Sequence, residues 1–148
     1  MVYKESYKDP QWLKDIIQEY LKPKSLNMCC GMSPFGDVRV DIDPKVKPDI
    51  VADMWDMNKL FDRASFDSIY CDPVWEEIPI KKRYKFMWML LDLIKADGIL
   101  IWNCNWAFPN LKGTKLIYTN YFHATFPGTI ICTMVYRKVN AQIEEYIN

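Results

Sequence analysis

Residues 66–104, FDSIYCDPVWEEIPIKKRYKFMWMLLDLIKADGILIWNC, decide the fold. The first six, FDSIYC, form a short apolar run closed by Asp72 and Pro73, which marks a buried strand leaving its sheet. Between Pro79 and Lys95, Ile80, Tyr84, Met87, Trp88, Leu91 and Ile94 recur at helical spacing, so this stretch reads as an amphipathic helix with those six on its apolar face. DGILIWNC, residues 97–104, follows as a second near-continuous apolar strand. Strand, helix, strand in that order predicts a parallel pair joined by a right-handed crossover.

Toward the N-terminus the same rhythm repeats in SLNMC (25–29), VRVDI (38–42) and DIVAD (49–53), each bounded by Gly, Pro, Asp or Ser. Only the eight residues 30–37 separate the first two runs, fewer than the dozen or so a helical crossover needs, so the connection is expected to be a turn. Ahead of them DPQWLKDIIQEYLKPK, from Asp9, offers an N-cap, a proline at the first helical position, and Leu13, Ile16, Ile17, Tyr20 and Leu21 at helical spacing. Toward the C-terminus TKLIYTNYF (114–122) and GTIICTMVYR (128–137), separated by HATFP, read as an antiparallel hairpin. The fold class expected is therefore α/β, a mainly parallel sheet with an antiparallel pair at its C-terminal end, in one domain over residues 1–148.

Composition narrows the function classes. The 19 basic and 19 acidic residues cancel, so no global field draws the molecule to nucleic acid or an anionic membrane, and a polyanion partner needs a local patch. No apolar run approaches the roughly 20 residues that span a bilayer, and MVYKESYKDPQW lacks the core of a signal peptide, so a cytoplasmic location is expected. The five cysteines lack the paired short spacing of a zinc site and read as reduced, mostly buried thiols. With His123 the only histidine, neither a His-based metal site nor a Ser/His/Asp arrangement has material to work with.

Ligands of open α/β sheets bind beyond the carboxyl ends of the strands. Those positions carry CCGMSPFG after the first strand, Asp41 and Asp43 after the second, Asp53 after the third, and Asp72 to Trp75 after the fourth. Gly31 lets a ligand approach the backbone, and a carboxylate one strand over can accept both hydrogen bonds of a ribose diol. Gly31 and Gly36 do not make the G-x-G-x-x-G of dinucleotide sites, which points to an adenosine-containing cofactor without phosphates. The plain alternative is two turn glycines and two solvated aspartates. Asp53, followed by Met54 and Trp55, suits an adenine amine and ring, or caps a helix entering MNKLF, as Asp56 also could. Asp72, Pro73 and Trp75 combine an acceptor, a forced exit from the sheet and a stacking face, which fits a planar ring bearing an amine; a capped turn with a packed tryptophan is the alternative.

The ordered set NMCCG, VDID, DIVADMWDM, FDSIYCDPVW and DGILIW resembles the motifs of class I S-adenosylmethionine-dependent methyltransferases over residues 25–104. DPVW is similar to the D/N-P-P-Y/F/W motif of members that methylate exocyclic amines, chiefly of adenine or cytosine in nucleic acid. The resemblance implies S-adenosylmethionine as cofactor and no metal. It places methionine and ribose at the Cys30–Gly31 loop, the ribose hydroxyls on Asp41, and adenine beside Asp53 and Met54. Asp72 and the Pro73 carbonyl would accept hydrogen bonds from the target amine, and Trp75 would stack on the base. The chain departs from the pattern in its single well-placed glycine, its short first connection, and Val74 in place of the second proline.

The activity implied is one-step methyl transfer to a nucleobase amine, adenine N6 in DNA or RNA foremost. The alternatives are an inactive methyltransferase-like module that binds a partner subunit or nucleic acid, and a methyltransferase acting on a small molecule or protein. The expected partners are nucleic acid, a second copy or a partner subunit, and no membrane. IKKRYK (80–85), with Lys22, Lys24, Lys45 and Lys47, supplies either phosphate contacts or an ordinary solvated surface. Because a duplex base must be extruded before it reacts, single strands or a partner subunit would ease the task.

Overall fold

The computed structural model describes residues 9–123 and 129–139, with the backbone alone for Trp75 and His123. Helix α1 (Gln11–Tyr20) precedes strands β1 (Ser25–Met28), β2 (Val38–Asp41) and β3 (Ile50–Val51). A one-turn helix α2 (Met57–Leu60) leads to β4 (Phe66–Cys71), then α3 (Arg83–Leu93), β5 (Ile94–Cys104), β6 (Thr114–His123) and β7 (Ile130–Lys138). The seven strands form one sheet in the order β3-β2-β1-β4-β5-β7-β6. The first five strands pair in parallel, and β7 runs antiparallel to both β5 and β6. This is the mainly parallel sheet with a C-terminal antiparallel hairpin that the apolar runs predict; residues 124–127 of the HATFP connection lie outside the described residues. No helix among the described residues is long and apolar enough to cross a membrane.

Successive strand side chains alternate between two buried layers, as a period of two requires. Ile69, Cys71, Leu100, Trp102 and Met134 face α3, while Tyr70, Ile101 and Val135 face Leu13, Ile16 and Ile17 of α1. The apolar face expected for α3 is corrected by the structure. Its buried residues are Phe86, Met87, Leu90, Leu91 and Leu93, whereas Ile80 is 77% exposed, Tyr84 is 51% exposed, and Ile94 already belongs to β5. Met87 and Leu91 are buried as expected; a 3-10 turn at Ile80–Lys82 takes Ile80 out of the helical register, and within α3 the buried stripe is turned toward Phe86 and Leu90 and away from Tyr84. At the other end of α3 the buried Lys138 ammonium donates to the carbonyls of Leu91 at 2.8 Å and Ile94 at 2.7 Å, satisfying groups the helix leaves open.

No helix joins β1 to β2, as the short spacing predicts, and side chains hold that connection instead. Asn27, fully buried in β1, donates to Ser33 Oγ at 3.1 Å and the Phe35 carbonyl at 3.0 Å. Arg39 in β2 donates from Nε to the Ser33 carbonyl, from Nη2 to the Gly31 carbonyl and from Nη1 to the Lys47 carbonyl. The loop's carbonyls thus find donors without helical pairing, and Phe35 packs on the α1 layer.

Candidate functional site

The parallel strands end in a cavity of about 260 Å³ over the carboxyl ends of β1 to β4, where strand order reverses between β1 and β4. Asp41, last in β2 and only 4% exposed, accepts from the Gly31 amide on Oδ2 at 2.8 Å and from the Asp43 amide on Oδ1 at 2.9 Å. One carboxylate therefore ties the loop after β1 to the end of β2.

Asp53 lies past the two-residue β3 and accepts from the Trp55 amide at 2.9 Å, capping the 3-10 turn Met54–Asp56. The capping alternative holds for one oxygen, and the residue still lines the cavity. Met54 is buried there with the Cys29 thiol 3.9 Å from its sulfur, and Trp55 forms an adjoining wall, braced edge-on against Phe86 at 5.0 Å. Asp72, just past β4, is half-buried and closes the opposite side with Val74 and Glu77. Pro73 is buried, and Trp75 opens the 3-10 turn Trp75–Glu77, which the Glu77 amide closes on the Val74 carbonyl at 3.1 Å.

Of the residues singled out in the sequence, Asp41, Asp53, Met54 and Asp72 meet around this cavity. Cys30 does not line it: the side chain is buried, burial pushes its thiol up to about 11, and Cys29 takes the wall position instead. Gly31 stands one step behind, holding Asp41 through its amide. Asp43 turns to the Lys45 amide and Asp56 pairs with Lys59 at 2.7 Å, so neither belongs to the site. Cys29 and Glu77 also line the cavity, outside the residues that the strand-end pattern singles out. A left-handed Cys29, φ +57, marks where β1 breaks off, and nothing in the apolar pattern announces it.

Four carboxylates, Asp41, Asp53, Asp72 and Glu77, line the cavity, and among the described residues no lysine, arginine or histidine joins its walls. Burial, followed by hydrogen bonding to Cys29, raises the Cys71 thiol well above its ordinary range, so that group adds no negative charge. Such a site rejects phosphates and favours a ligand that is cationic, partly apolar and rich in donors. A second, more open cavity of about 190 Å³ lies beyond β5, β7 and β6 on the same edge, lined by Asn105, Trp106, Tyr121 and Cys132 among others.

The strand order and the switch-point cavity define an α/β fold of the S-adenosylmethionine-dependent methyltransferase type. A SAM-dependent methyltransferase from Archaeoglobus fulgidus superposes with a TM-score of 0.68 at 10% identity, covering 93% of this chain and 98% of that one. The N-methyltransferase NodS from Bradyrhizobium japonicum WM9, in complex with S-adenosyl-L-homocysteine, gives 0.66 at 10% identity, over 88% of this chain and 85% of that one. TrmN from Thermus thermophilus gives 0.61 at 16% identity over 87% of this chain, which spans about half, 48%, of TrmN. At such identities the likeness is one of fold. No protein-family model matches the chain, and no curated protein does.

Proposed function

We propose that the protein is an S-adenosylmethionine-dependent methyltransferase acting on the exocyclic amine of a nucleobase, adenine N6 in DNA or RNA foremost. The observation that carries this reading is the cavity with four carboxylates and no basic wall, placed at the switch point of a methyltransferase-type sheet. S-adenosylmethionine suits it by its net positive charge, with a sulfonium and an ammonium for the carboxylates, a ribose diol for Asp41, and an adenine for the pocket of Ala52, Asp53, Met54 and Trp55. The NodS complex with S-adenosyl-L-homocysteine supports the same cofactor.

The cofactor supplies an electrophilic methyl group, and the rest falls to the chain. Asp72 and the Pro73 carbonyl accept the two N–H bonds of the amine, holding it so that the nitrogen lone pair, otherwise delocalised into the ring, faces the cavity. Val74 leaves Asp72 and the Pro73 carbonyl in place as acceptors, and the stacking role expected of Trp75 falls on a side chain outside the described ones. Asp72 is also the acceptor at hand for the proton the methylated nitrogen sheds.

Calorimetry with S-adenosyl-L-homocysteine and labelled-methyl transfer to single-stranded DNA, duplex DNA and RNA test the reading together. Micromolar cofactor binding is expected, with transfer that Asp72→Ala lowers by at least about 100-fold while binding stays. No cofactor binding at millimolar concentration would overturn it, and undiminished transfer by the variant would remove the amine-orienting role of Asp72. Label appearing only in protein or small-molecule fractions would remove the nucleobase.

A further inference from the structure

Between the two cavities the chain carries Lys81, Lys82, Arg83 and Lys85, all on the 3-10 turn Ile80–Lys82 and the first turn of α3. None of the four pairs with a carboxylate among the described residues; the ion pairs there are Lys59–Asp56, Arg63–Asp92 and Lys95–Asp67. Glu76 and Glu77 are the nearest acids along the chain, and Glu77 lines the larger cavity. Two of the basic heads rest on aromatic rings instead. Lys82 Nζ lies 5.8 Å from the ring centre of Trp55, a wall of the larger cavity, and Arg83 Cζ lies 4.6 Å from that of Trp106, a wall of the smaller. Arg83 Nε is enclosed without an acceptor.

The first turn of α3 has neither an acidic residue nor a side-chain cap, so these cations sit at the positive end of the helix, the reverse of what its dipole favours. An external anion relieves that repulsion. The same edge of the sheet therefore separates charge, an acidic cavity beside a basic ridge. Tyr84, in the middle of the ridge, stacks on Phe108 at 4.0 Å and keeps half its surface open, a flat platform for a base. An open aromatic face among cations suits an unpaired base, because the faces of paired bases are covered inside a duplex stack.

We infer that Lys81, Lys82, Arg83 and Lys85 form the phosphate-binding surface for the methyl acceptor, and that the acceptor is a single strand of nucleic acid. The proposal rests on the methyltransferase reading for its purpose, but strand binding needs no cofactor and is read separately. The experiment measures fluorescence anisotropy of a labelled single-stranded oligonucleotide of about a dozen bases against the whole chain across a salt series. The combined variant Lys81→Gln, Lys82→Gln, Lys85→Gln should bind at least about tenfold more weakly, and its log K against log salt slope should shrink by about 2, near 0.7 per lost phosphate contact. Its affinity for S-adenosyl-L-homocysteine should match the parent's, which verifies the fold. An unchanged slope and affinity would overturn the ridge. Tighter binding of duplex, or displacement by adenosine monophosphate at equal concentration, would overturn the single-strand assignment. Loss of cofactor binding in the parent chain, with strand binding intact, would strike the methyltransferase reading alone.

Discussion

Asp41 is buried, and its carboxylate is held by two backbone donors, Gly31 and Asp43, at 2.8 and 2.9 Å. Hydrogen bonds to a carboxylate are about twice as strong as neutral ones, and an orphaned buried amide costs its full desolvation. In Asp41→Asn the side-chain NH2 must face one of the two amides, so one bond becomes a donor–donor contact. The expected loss is about 2–3 kcal/mol in urea unfolding, with at least a tenfold weaker affinity for S-adenosyl-L-homocysteine by calorimetry. A variant that keeps both would show that Asp41 does not link the loop to the cofactor. Asp41, Asp53 and Asp72 were readable in the sequence because each is the first acid at the close of an apolar run. Cys29 was not, because β1 stops at Met28 and the left-handed turn at Cys29 exchanges the places expected for Cys29 and Cys30.

The β1–β2 connection shows what residue spacing reveals about an element and what it hides. Eight residues were too few for a helix, and none is there; that Asn27 and Arg39 would take over its backbone pairing depends on a three-dimensional meeting the spacing does not encode. The 3-10 turn ahead of α3 is hidden in the same way, since an apolar pattern counted from Ile80 runs through it without interruption. Two glycines separate packing from ligand approach in this connection. Gly36 has φ +96, and a Cβ there would meet Asn27 Cβ at 2.9 Å and its amide nitrogen at 3.1 Å. Gly36→Ala should therefore cost about 3 kcal/mol, from backbone strain and overpacking together. Gly31 has φ +50, and a Cβ there would meet nothing within 4 Å. Gly31→Ala should cost only about 1 kcal/mol, so any larger loss of cofactor affinity reports a ligand close to that backbone. Chemical denaturation of the two variants checks the order, and equal losses would refute the distinction.

For the whole molecule, adjacency in the chain predicted the β4–β5 and β6–β7 pairs, but no local signal places β7 between β5 and β6. That insertion, with the layers on both faces of the sheet, encloses most of the thiols, which the sequence reading expected to be reduced and mostly buried. Burial raises Cys30 and Cys132 to about 11 and Cys104 to about 12, and raises Cys71 as well, from an ordinary value of 9.0. The folded chain thus keeps protons that the unfolded chain releases, so these groups leave stability unchanged below pH 9 and subtract from it as pH rises above. Each thiol adds a slope approaching about 1.4 kcal/mol per pH unit until its folded value is reached. Lys138 acts in the opposite sense: burial lowers its ammonium below 10.5, so its contribution to stability grows as pH rises through that folded value toward 10.5. One such group offsets only part of four. Urea midpoints under a phosphine reductant should be level from about pH 7 to 8.5 and then fall, with a loss on the order of 3 kcal/mol by pH 10, a large share of a typical domain's 5–15 kcal/mol. Cys104→Ala should flatten that fall by about a quarter, even though the small cavity it opens lowers stability at neutral pH. Equal midpoints at about pH 7.5 and 10 would mean that these thiols titrate alike in the folded and unfolded chain, and so that the sheet does not seal them from water.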